Sequence, residues 1–134
     1  MEKNKKLVQS NFCNIPFKNN YFDIIISIAS FHHLDNINDR KIALKEMQRI
    51  LSKNGKILLS VWSKCQPKKT KRIFINYGDT IVYFKDIPRY YYIFKIQEIK
   101  ELIEEFFIID KYYWDCGNEI FELSQKNHLN NLVS

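Results

Sequence analysis

The chain has 134 residues, 46% apolar and 27% charged, enough for one globular domain with its own core and too few for two comfortable ones. Its longest apolar stretch, Ile24 to Phe31, is broken by Ser27 and Ser30 and falls far short of the ~20 residues a membrane-spanning helix needs. The net charge of +6 favours a polyanionic partner, although a chain this rich in Lys, Ile and Asn acquires lysine from composition as readily as from function.

The Lys-rich N-terminus has no apolar stretch behind it, so no secretory signal is expected. Cys13, Cys65 and Cys116 are odd in number and widely spaced, which argues against a disulfide framework and a zinc knuckle, and for a reducing compartment; no metal site is expected. Glycines at 55, 78 and 117 cannot compose a glycine-rich phosphate or dinucleotide loop.

In chain order, residues Leu7 to Phe12 read as a short strand, followed by an Asn- and Pro-rich turn from Asn14 to Asn20. Phe22 to Ala29 is an unbroken apolar, β-branched run, the pattern of a parallel strand covered on both faces. A helix is predicted from Asn38 to Leu51 with Asn36 or Asn38 as N-cap, because Ala43, Leu44, Met47, Ile50 and Leu51 recur at helical spacing. Lys53-Asn54-Gly55-Lys56 reads as its stop, ahead of a buried strand from Ile57 to Trp62, making a β-α-β unit. Residues 63–88 read as irregular and begin with a basic run. A strand at Arg89 to Phe94 and a helix through Ile96, Ile99, Leu102, Ile103 and Phe106 follow. Phe107 to Trp114 and Ile120 to Leu123 complete the chain as a hairpin turning at Asp115-Cys116-Gly117-Asn118. The expected organisation is one partial domain over residues 1–126 and a polar tail over 127–134.

The segment Ile15-Pro16-Phe17 to Phe22-Asp23, the His32-His33-Leu34 that follows, and Leu51 to Leu59 together resemble the motif pattern of class I S-adenosylmethionine-dependent methyltransferases. A narrower similarity is to the eukaryotic tRNA methyltransferases that esterify 5-carboxymethyluridine at the wobble position. It rests on Ile26-Ser27-Ile28-Ala29, His32-His33, Arg40, Ser60-Val61-Trp62 and Arg89-Tyr90-Tyr91 in that order. The resemblance implies an α/β fold, the C-terminal part of a Rossmann-like sheet of parallel strands ending in an antiparallel hairpin. The first β-α units and the glycine-rich cofactor loop would lie ahead of residue 1. It implies S-adenosylmethionine as cofactor, tRNA as substrate, a cytoplasmic or nuclear location, and a small zinc-binding activator protein as heterodimer partner. The chain departs from the family where Asn11 replaces the usual Asp near the adenine, and where Lys53 and Asn54 replace a turn proline and glycine.

By this resemblance Asn11, Phe12, Ser27, Ile28 and Ala29 are candidates to line the cofactor pocket, and His32, His33, Arg40, Arg89, Tyr90 and Tyr91 to meet the substrate. Chemistry supports the types chosen. Arg offers a planar fork to a carboxylate or phosphate, aromatics stack on a flipped base, and a His at the carboxyl end of a parallel strand stands where open sheets place ligands. Plainer roles stay open: Arg89 as an edge-strand cation, Arg40 as a helix-surface cation, the tyrosines as core, the histidines as loop packing and Asn11 as a turn residue. Two other functions also stay open. One is a noncatalytic methyltransferase half binding RNA or a protein; the other is a methyltransferase acting on a small molecule.

Overall fold

The computed structural model describes residues 8–126. A four-stranded sheet is built from β1 (Phe22–Ile28), β2 (Leu51–Trp62), β5 (Phe107–Asp115) and β6 (Asn118–Gln125), in the order β1-β2-β6-β5. β1 and β2 are parallel, joined through α1 (Ile37–Ile50); β6 runs antiparallel to both β2 and β5. β3 (Gly78–Phe84) and β4 (Ile87–Ile93) form a separate two-stranded hairpin, and α2 (Ile96–Glu104) leads from it into β5.

Each element has a local cause. The Asn36 side chain accepts the Asp39 N–H at 2.8 Å, satisfying one of the free donors at the start of α1. The buried stripe Ala43, Leu44, Met47 and Ile50 then faces the sheet. α2 presents Ile99, Leu102 and Ile103 to the same core, where they meet Ile57, Leu59 and Val61 of β2, Phe107 of β5, and Phe121 and Leu123 of β6. Alternation along β2 and β6 puts these residues on one sheet face. The turn before β1 is tied to α1 by Arg49, whose guanidinium donates to the carbonyls of Phe17 and Ile15 and to Glu46. The hydrogen bond from Arg49, with that from the Ile15 N–H, holds the Glu46 carboxyl below its ordinary range.

Four expectations are corrected. Asn11 and Asn14 form only an isolated bridge, so no strand precedes β1 among the described residues; Leu7 lies outside them, as does the tail 127–134. Lys53 to Lys56 does not stop the helix in left-handed backbone. β2 starts at Leu51, and the excursion is absorbed where the register jumps from Phe22–Leu51 to Ile24–Lys56. Gly55 is required there by crowding, since a Cβ would run into the Leu51 side chain. The irregular span contains β3, whose tight turn to β4 uses Lys85 and Asp86, both at positive φ.

The fourth correction concerns β1. Its apolar run predicts cover on both faces, yet among the described residues it is an edge strand with Ile24, Ile26 and Ile28 each about 60% exposed or more. Ile25 and Ser27 face the helices; the opposite face is open. An apolar strand with a free edge is a pairing liability.

Candidate functional site

The chain leaves β1 through Ala29, a non-glycine residue at φ 51 whose N–H is held by both the carbonyl and the hydroxyl of Ser60. That left-handed step turns the backbone into a short helical turn, Phe31–His33, at the carboxyl ends of β1 and β2. Phe31 drops into the core, stacked on Phe94 and edge-on to Phe12. His32 is fully buried and His33 exposed.

The hairpin β3-β4 folds over this turn. The His33 Nδ1–H donates to the Tyr90 carbonyl at 2.8 Å, and the Tyr91 ring lies 4.4 Å from His33 and 4.9 Å from His32. Tyr91 is itself stacked on Trp62, the last residue of β2, with centroids 4.1 Å apart and planes 12° from parallel. On Trp62 rests the Arg72 guanidinium, 4.4 Å from the ring centroid. The result is a column of cation, indole, phenol and imidazole at one end of the parallel strands.

His32 is the polar centre of the column. Its Nδ1 accepts the Trp62 N–H at 2.9 Å, so the neutral ring carries its proton on Nε2. That Nε2 has no partner among the described residues, nor does the buried Ser27 hydroxyl at the end of β1. Two unpaired buried polar groups at a sheet's carboxyl end suit a polar ligand.

Burial lowers the His32 pKa from 6.5 to about 3, helped by His33 and Arg72. The unfolded chain therefore takes up a proton below pH 6.5 that the folded chain refuses. Stability from this group is complete above pH 6.5 and falls toward pH 3, by up to about 1.4 kcal/mol per pH unit. Urea titrations at pH 7.5, 6 and 5 should show the wild type losing stability relative to His32→Asn by about that slope; parallel profiles would contradict the buried neutral ring.

The other expected residues are dispersed around this centre. Arg40 is buried, not a helix-surface cation. Its Nε donates to the Leu34 carbonyl, Nη2 to the Tyr90 hydroxyl, and its guanidinium covers the Tyr92 ring at 3.9 Å. Tyr90 turns away from Tyr91 and donates to Asp79; burial and that hydrogen bond raise its phenol well above the usual value. Arg40 and Tyr90 thus fasten α1 to the hairpin. Arg89 is exposed beside the Phe84 ring, on the same face of β4 as Tyr91. Asn11 spends its Oδ1 on the Cys13 N–H, and Phe12 packs on Phe31. Ile28 points to the open sheet face, away from Ser27. Trp62 and Arg72 were not among the candidates. Trp62 ends a buried strand beside the histidines, whereas Arg72 was hidden in a basic run.

Residues 1–59 match the family model described as Methyltransferase domain. A tRNA (carboxymethyluridine(34)-5-O)-methyltransferase of Schizosaccharomyces pombe is 32% identical over 124 residues, covering 73% of this chain and 54% of that protein. Among solved structures, an S-adenosylmethionine-dependent methyltransferase of Clostridium acetobutylicum superposes with a TM-score of 0.70 at 11% identity, covering 92% of this chain and 66% of that one. The methyltransferase candidate in a complex with the Haloferax volcanii Trm112 methyltransferase activator is also similar, with a TM-score of 0.60 at 13% identity, over 89% of this chain and 60% of that structure. The chain spans about half the length of the curated relatives it matches. No helix of the described residues is long and apolar enough to cross a membrane.

Proposed function

We propose that this chain, which resembles the class I S-adenosylmethionine-dependent methyltransferases and has the fold of part of one, serves in esterifying the carboxymethyl group of a wobble uridine in tRNA. The observation that carries this reading is the hairpin folded over the carboxyl ends of β1 and β2, stacking Tyr91 on Trp62 beside both histidines. A flipped base needs an aromatic platform, a donor for its polar edge and a cation for its carboxylate. Trp62 with Tyr91, the His32 Nε2–H and Arg89 are groups of these three kinds gathered at this end of the sheet; with Tyr91 and Arg72 against the indole and His32 buried, the base meets them at the edge of the column.

S-adenosylmethionine supplies an electrophilic methyl group when bound. Ser27 and Ala29 at the end of β1, with Phe12 against the Phe31 ring and Asn11 next to it in the chain, are the residues that would hold it; the unpaired Ser27 hydroxyl fits a polar ligand. A carboxylate nucleophile has a reference pKa about 3 units below neutral pH, so it is ionised without help and needs no general base. His32, kept neutral by burial, acts as a donor that orients the substrate. The chain's task is alignment and exclusion of water, which is where most of the rate of an in-line transfer arises.

The uncovered face and edge of β1 are where the rest of such a domain would pack, and a small zinc-binding activator protein is the expected partner. A cytoplasmic or nuclear location would follow from a tRNA substrate. The decisive assay supplies the 134-residue chain, with and without that activator, with methyl-labelled S-adenosylmethionine and tRNA carrying 5-carboxymethyluridine. Base-labile label in that tRNA, and none in tRNA lacking the carboxymethyl group, is expected. A chain that binds S-adenosylhomocysteine but labels neither tRNA, or labels them base-stably, overturns the reading. Absence of any cofactor binding turns it toward a noncatalytic half.

A further inference from the structure

The basic run after β2 is more ordered than its composition suggests. Gln66 is anchored at its amide, which donates to the carbonyls of Ser63 and Gly117 at 2.7 Å each, and its Oε1 accepts from the Arg72 Nε at 3.2 Å. Lys71, at φ 57, ends the short helical turn Lys68–Thr70 and sends the chain back toward β2. Arg72 is therefore held at two points, by Nε and by the Trp62 ring. Its two terminal amino groups have no hydrogen-bond or ion-pair partner among the described residues, and neither does the Arg89 guanidinium. Burial raises the Tyr91 phenol, and Arg89 and Arg72 pull it back down. Arg72 over the Trp62 ring and Arg89 on the same face of β4 as Tyr91 thus bring two cations to one aromatic site.

We propose that Arg72 is a substrate-recognition residue that binds a nucleotide-borne oxyanion at the edge of the Trp62–Tyr91 stack, with Arg89 as the second cation. The proposal rests on the reading of a uridine-bearing RNA as substrate. A guanidinium held over an indole and fixed at Nε leaves its two terminal amino groups for parallel hydrogen bonds to carboxylate or phosphate. The anion is either the carboxylate on the base or a backbone phosphate; one chemistry serves both.

Fluorescence of the 134-residue chain, titrated at constant ionic strength with uridine, 5-carboxymethyluridine, uridine 5′-monophosphate, acetate and inorganic phosphate, tests this. An anionic uridine should bind more tightly than uridine, and Arg72→Gln should remove about tenfold of that advantage, read in each variant as the ratio of the two affinities. Arg72→Lys, which keeps charge but loses the fork, should recover only part. An advantage confined to 5-carboxymethyluridine identifies the base carboxylate; one confined to the monophosphate identifies the backbone. The latter result sustains Arg72 but sinks the carboxymethyl reading. If Arg72→Gln keeps the full advantage while 5-carboxymethyluridine still binds, the role of Arg72 is overturned and that reading stands. A wild type that responds to none of the five probes overturns the anion site.

Discussion

Replacing Phe31 by alanine is expected to lower the unfolding free energy by about 3–5 kcal/mol, the usual cost of deleting a buried aromatic ring. The ring is fully buried, stacked on Phe94 at 6.0 Å and met edge-on by Phe12 at 6.5 Å. It therefore joins three segments that are distant in sequence: the turn before β1, the loop after it, and the entry to α2. A cavity there cannot collapse without moving all three. Against a total stability of about 5–15 kcal/mol for a domain of ordinary size, the loss decides whether the chain folds. Phe31→Leu keeps most of the volume and should cost about 1.5 kcal/mol or less, and Ile24→Ala, on the open face, about 0.5 kcal/mol. Urea unfolding followed by near-ultraviolet circular dichroism measures all three. A Phe31→Ala cost near that of Ile24→Ala would mean the loop is not seated in the core.

The contrast between Phe31 and Ile24 shows where sequence pattern is informative and where it is not. Helical spacing located α1 and α2, and Cys116-Gly117, both at positive φ, marked the β5–β6 turn, because glycine at that position is a local requirement. The β3–β4 turn makes the same demand of Lys85 and Asp86. Those residues enter left-handed backbone only because the paired strands hold them there, so nothing local announced the hairpin. Likewise, an apolar β1 records that the strand is suited to cover; what supplies the cover is a tertiary fact. Arg40 was legible in principle. It lies on the same helical stripe as Ala43, Leu44 and Met47, and a charged residue on a core stripe implies buried partners. Its partners, Leu34, Tyr90 and Tyr92, come partly from a hairpin that the sequence did not reveal.

The site follows the same division. His32, His33 and Tyr91 are candidates from the sequence because motif position puts them at a strand end and in a tyrosine run, but which ring of three tyrosines faces inward depends on the register of β4. That register puts Tyr91 with Arg89 on one face and Tyr90 with Tyr92 on the other. Trp62 and Arg72 meet Tyr91 and the histidines only through the way the loop after β2 folds back. Pairing of a cation with an indole ten residues away leaves no periodic trace.

Trp62 is accordingly the side chain whose loss should affect binding most. It touches Tyr91 at 4.1 Å, His32 at 5.1 Å and Phe74 at 5.7 Å, and carries Arg72 at 4.4 Å. Trp62→Ala removes the platform and frees the cation together. A base stacked in full on an aromatic gains about 1–3 kcal/mol; Trp62 is already covered by Tyr91 and Arg72, so the lost edge contact together with the freed cation should lower affinity for 5-carboxymethyluridine roughly tenfold. Trp62→Phe retains an aromatic ring between Tyr91 and Arg72 and should recover most of it. The Trp62 backbone N–H that fixes the His32 tautomer survives both changes, which separates loss of stacking from loss of the histidine. Calorimetric titration of each variant with 5-carboxymethyluridine and, separately, S-adenosylhomocysteine reads the outcome. A selective loss of nucleoside binding places the base on this column. Equal losses for both ligands would mean that Trp62 supports the fold, and unchanged nucleoside affinity would remove it from the site.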